Sequence, residues 1–131
     1  MSYYFTTSVD LDFEEAIATV TEALKNEGFG VLTEIDVQAT LKKKLDVDFR
    51  KYRILGACNP TFAHKALECE SHIGTMLPCN VIVQERSDGR TEISAINPLE
   101  SMQAVANPAL KEIAAEVTQR LKQVINQMTA A

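Results

Sequence analysis

Residues 79–96, CNVIVQERSDGRTEISAI, decide the fold class, because two runs of alternating apolar character flank a Ser-Asp-Gly turn. Two registers are open to them. A two-residue Asp88-Gly89 turn sets Val83 opposite Ser94 and Glu85 opposite Glu92, which mixes the faces and opposes like charges. A three-residue loop, Ser87 to Gly89 with Gly89 left-handed, instead pairs Val83 with Ile93 and Val81 with Ala95. The second register gathers four apolar side chains on one face and is the one expected. By alternation it also places Cys79 on that face.

Upstream, residues 51–58 read as a strand in which Tyr52, Ile54, Gly56 and Cys58 share one side. Asn59-Pro60 follows and starts a helix: asparagine accepts from the orphan N–H groups of a first turn, and proline at the first helical position loses no useful donor. The same dipeptide recurs at Asn97-Pro98 and Asn107-Pro108. Residues 2–7 and 29–37 supply two further strands. Between them, Phe13, Ile17, Val20 and Leu24 recur at helical spacing over 12–27, with Asp12 and Glu15 spaced as a capping box and Gly28 as the stop. A short helix over 37–46 is expected to hold one side through Val37, Leu41 and Leu45. A short helix after Pro98 contributes Leu99 and Met102. The last helix, 108–128, carries Leu110, Ala114, Val117, Leu121, Val124 and Met128 in steps of four and three.

These elements imply one α+β domain over residues 1–131, a single antiparallel-rich sheet backed by helices on one face and crossed by a long C-terminal helix. The 131 residues carry a net charge of −5, the wrong sign for a nucleic-acid partner. Lys42-Lys43-Lys44 is too short a basic run to reverse that and reads as a solvated helix face. No apolar stretch approaches the ~20 residues of a membrane span, and the first residues lack the basic and apolar regions of a secretory signal. The expectation is a cytoplasmic protein with no membrane partner and three reduced cysteines.

Together, EALKNEGFGVLTEIDVQATLKKKLDVDFRKYRILGACNPTFAHKALE, IGTMLPCNVIVQE and SAINP resemble the family catalogued as domain of unknown function 302, over roughly residues 10–98. The words G-F-G-V, C-N-P and L-P-C carry the likeness. The resemblance implies a single antiparallel sheet backed by a long C-terminal helix, in an arrangement of the TATA-binding-protein type, and a homodimer. It implies no biochemical role.

Cys58 and Cys79 fall in the family's C-N-P and L-P-C words and are the candidate functional thiols. Cys58 precedes a helix N-cap, where orphan N–H groups and the helix dipole favour thiolate. If their strands are neighbours, the two thiols could meet or jointly hold Cu(I), Zn or a sulfane sulfur. The competing reading makes both small core residues. Asn59 and Pro78 are the sequence neighbours of the two thiols, and the Leu77-Pro78 bond is open to either isomer. His64 falls on the solvated side of its helix within reach of Glu68, His72 follows the helix end, and Cys69 reads as packing. Glu70 is an acid–base candidate if it turns inward, although fraying at Cys69 would put it in water. Met76 reads as core filling.

The function expected is therefore a non-enzymatic binding or interaction module, its small-molecule ligand held between sheet and helices near Cys58 and Cys79. The alternative is a thiol-dependent redox, sulfur-transfer or soft-metal protein using those two cysteines. A third reading is an acid–base enzyme using Glu70 or His64. No cofactor is required by the sequence.

Overall fold

The structure is a computed structural model describing residues 2–129. Its order is β1 (Tyr4–Val9), α1 (Phe13–Asn26), β2 (Gly30–Asp36), α2 (Val37–Leu45), β3 (Tyr52–Cys58), α3 (Pro60–Cys69), a 3-10 helix (Ser71–Met76), β4 (Cys79–Glu85), β5 (Thr91–Ile96), α4 (Pro98–Ser101) and α5 (Pro108–Thr129). The five strands form one antiparallel sheet in the order β1-β5-β4-β3-β2. The first strand starts two residues later than the sequence suggests, because Tyr4 is the first residue to find a partner, Ile96.

The hairpin adopts the three-residue loop. Val81 lies across from Ala95 and Val83 from Ile93, Gly89 has a φ of +84°, and Arg86 N donates to Arg90 O at 2.8 Å to close the loop. Its apolar face is the centre of the core, with Val81, Val83, Ile93 and Ala95 all fully buried.

Helix α1 has a topological task. It leaves β1 at one edge of the sheet and delivers the chain to β2 at the other. Four inter-strand spacings are about 19 Å, and 14 helical residues rise about 21 Å. The Asp12 carboxylate accepts from Glu15 N at 2.8 Å to start it, so the capping box is realised on the aspartate side. The inward stripe Phe13, Ile17, Val20 and Leu24 is buried as the spacing predicts. Helix α5 lies beside α1 on the same face and buries all six residues of its expected stripe, together with Thr118 and Ile125.

Helix α2 departs from expectation. It exists, with Asp36 accepting from Ala39 N as its cap, but none of its residues is buried and Leu45 is 66% exposed. Three apolar residues interleaved with three lysines do not make a stripe wide enough to displace water. The three Asn-Pro pairs do start three helices, yet only two of the asparagines cap through their side chains. Asn59 Oδ1 accepts from Phe62 N and Asn107 Oδ1 from Ala109 N, whereas Asn97 turns its amide to Ser2 O and Thr118 Oγ1.

On the helix-covered side of β3, Arg53 lies over the Phe13 ring and meets Glu14, Glu34 and Asp36. Among the described residues, no helix is long and apolar enough to cross a membrane.

Candidate functional site

At the end of the sheet where β3 stops and β4 begins, α3, α4 and α5 converge without filling the space between them. A cavity of about 310 Å³ remains. Its wall includes Cys58 and Cys79 from the sheet, Phe62 from α3, Met102 just beyond α4, and Ala114 and Val117 from α5. Apart from Asn59 and the two thiols, every side chain in the wall is apolar. That size and composition match small-molecule sites, which are typically apolar clefts with few polar groups.

Local rules position each member. Gly30 pairs with Cys58 and ends the β2–β3 ladder. Asn59 then turns the chain into α3, its Oδ1 accepting from Phe62 N at 3.4 Å. Its amide nestles over Gly28: a Cβ there would stand 2.9 Å from Asn59 Nδ2, and a φ of +85° already requires glycine. Pro78, preceded by a cis bond, packs on β3 at Gly56, where an added Cβ would run into Thr33 Oγ1 and come within 2.7 Å of Pro78 Cγ. Gly56 is thus the gap that lets Pro78 bring Cys79 into the sheet.

The two candidate thiols occupy neighbouring strands, and both border the cavity. They are not a directly opposed pair: Ala57 is the residue across from Cys79. Cys79 is 8% exposed and belongs to the core. Burial pushes its thiol up to about 11, with nearby Cys58 adding to the rise. At neutral pH Cys79 therefore keeps its proton and presents a weak S–H donor to the cavity.

The remaining candidates lie elsewhere. His64 points to solvent and faces Glu68 at 3.2 Å. Glu70 is neither at the cavity nor free in water, because it is half-buried and accepts from Asn107 Nδ2 at 3.3 Å. His72 is exposed within the 3-10 helix, and Cys69 packs beside Ala66 and Ile73 as read. Met76 is not core filling; it is 40% exposed and edges a smaller cleft beside Cys79. Among the described residues, no three His, Cys, Asp or Glu side chains gather to hold a metal ion.

Phe62, Met102 and Val117 escaped the sequence reading as site residues. The wall draws on positions from Phe29 to Val117, and no spacing rule links them. The one signal available was indirect: the helix after Asn59 is short and small-residued at Ala63 and Ala66, which leaves room on its inward side.

Comparison with known proteins agrees with the architecture. The family described as "Domain of unknown function DUF302" matches over residues 5–128. The crystal structure of an uncharacterized conserved protein DUF302 from Bacillus stearothermophilus is 34% identical, covers 98% of this chain and 99% of its own, and superposes with a TM-score of 0.91. No curated protein matches the sequence.

Proposed function

The chain belongs to the DUF302 family, and on that premise we propose that it is a non-enzymatic binding module whose ligand is an apolar small molecule held in the cavity beside Cys58 and Cys79. One observation carries this reading: about 310 Å³ of space in a wall whose only polar side chains are Asn59 and two thiols. An empty apolar space of that size costs stability, since its lining lacks dispersion partners on one side. An apolar occupant recovers those contacts. The test is titration with Nile red, an uncharged apolar dye whose fluorescence rises on leaving water. Saturable one-to-one binding is expected in the native chain, with loss in Ala114→Leu, which fills the cavity from α5. Equal dye binding by both proteins defeats the reading.

A second reading is favoured by the two thiols and the Met102 thioether sharing that wall. Sulfur ligands select soft cations such as Cu(I), and a metal would displace the Cys79 proton. Copper retained through dialysis and lost in both Cys58→Ser and Cys79→Ser supports it. Retention in either variant removes it.

A further inference from the structure

The five-stranded sheet has a second face, opposite the one that α1 and α5 cover. Thr6, Ser94, Ile82, Ile54 and Ile35 pair in succession across all five strands and form one straight ladder on that second face. An antiparallel sheet with one face in water alternates polar residues outward. Three neighbouring strands here turn an isoleucine outward at the same level instead. None of the three joins the buried core, and Ile35 stays 49% exposed although α2 meets its strand. The strands carry their charges on the other side, where Arg53 gathers Glu34 and Asp36. Among the described residues, Glu92 is the one charged strand side chain on the isoleucine side, and Gln84 Nε2 donates to it at 3.1 Å. From this ladder we infer that the isoleucine face is an interface between two copies of this chain, related by a two-fold axis that runs along the ladder.

Area, charge and symmetry select a second copy as the occupant. The accessible surface is 7566 Å² for a 14.5 kDa chain, whereas a compact monomer of that mass exposes about 6,900 Å². The excess, about 700 Å², is close to the ~800 Å² that each partner gives to a standard interface. Two chains of net charge −5 repel, so they can meet closely only where charge is scarce, as it is on this face. β4 is the middle strand and Ile82 its middle residue, so Ile82 lies over any two-fold axis through the centre of the face. An axis along the ladder lays each isoleucine on the same residue of the other copy. An axis along the strands would lay Ile54 on Ser94 and Ile35 on Thr6, apolar on polar. The first choice also sets Gln84 over Asn80 of the second copy, amide against amide. Stacked sheets stand about 10 Å apart, a gap that opposed isoleucines fill. The cavity beside Cys58 and Cys79 lies among the helices, so the two proposals stand or fall separately.

Sedimentation equilibrium of the full chain reads the association. A dimer of twice 14.5 kDa is expected at about 100 µM. Ile35→Lys, at a position the single chain already leaves in water, and Ile82→Lys each set two ammonium groups facing across the axis; both are expected to weaken association about a hundredfold. Leu67→Lys, similarly exposed but on α3, is expected to leave it unchanged. A chain that stays monomeric at that concentration overturns the inference, even where a small molecule or a different protein is found on the face. So does a dimer that survives Ile35→Lys, or one that Leu67→Lys disrupts equally. Should either isoleucine variant not fold, the native chain decides alone. In a mixture of isotope-labelled and unlabelled copies, the methyl groups of Ile35, Ile54 and Ile82 are expected to show NMR contacts between copies; a dimeric sample without them overturns the inference.

Discussion

Ala57, and not Cys58, stands across the ladder from Cys79. The offset leaves Cys79 in the core and gives Cys58 the strand's last position, beside the helix that Asn59 begins. Two cysteines that border one cavity thus live in different surroundings, and Cys79 is the one whose chemistry burial governs.

Burial holds the Cys79 proton up to about 11 against an ordinary 9.0. Between those values the folded chain keeps a proton that the unfolded chain has released, so stability falls as pH rises. The loss amounts to about 3 kcal/mol once both states are ionised. Denaturant melts from pH 8 to 11 are expected to show that fall in the native chain and a smaller one in Cys79→Ala. A fall of equal depth in both assigns it to other groups.

Gly56→Ala is expected to cost about 3 kcal/mol, at the upper end of overpacking effects, because the methyl has Thr33 on one side and Pro78 Cγ at 2.7 Å on the other. Adding Thr33→Ala is expected to restore only part of the loss, since Pro78 remains. Chemical denaturation of the single and double variants gives the coupling directly.

Arg53 is the cation common to Glu14, Glu34 and Asp36. Arg53→Ala leaves three carboxylates facing one another and is expected to cost about 2 kcal/mol at neutral pH, between the values for exposed and buried pairs. Chemical denaturation of Arg53→Ala beside Arg53→Met, which keeps an apolar stem over Phe13 without the charge, checks this: a loss in both is expected, and a native-like Arg53→Met would mean that the arginine acts by packing over Phe13 alone.

Asn97 and Asn107 occupy the same place in the same dipeptide but do different work. Asn97, 1% exposed, ties the N-terminal segment to α5 through Ser2 O and Thr118 Oγ1. Asn97→Ala is expected to cost about 2 kcal/mol and to speed amide exchange along β1, whereas Asn107→Ala, which loses the α5 cap and the bonds to Cys69 O and Glu70, is expected to leave β1 exchange unchanged. Hydrogen exchange that is unchanged in β1 would refute the assignment for Asn97.

What was legible in the sequence was whatever local rules decide. The hairpin register followed from alternation and one glycine, the α5 stripe from steps of four and three, and the Asn-Pro helix starts from backbone chemistry. The departures share a different cause. Leu45 satisfies a helical period, but α2 meets the sheet only through its half-buried Val37, Thr40 and Leu41, and Leu45 stays 66% exposed. Met76 looked like core because methionine beside leucine often is, and only the turn of the 3-10 helix exposes it. Glu70 was read between core and water and found a third environment, the amide of Asn107, 37 residues on. The cavity itself is a failure of three helices to fill a corner, and a gap has no sequence signature.

The strand order carries a consequence for synthesis on the ribosome. β1 is the first strand made, yet its partner β5 is the last. While β2 to β5 can close as each emerges beside its predecessor, β1 must wait for β5, up to Ile96, before the sheet can accept it. The nascent chain therefore carries β1 unpaired until β5 is made, and that edge of the sheet is the place where chaperone capture or misassembly would begin.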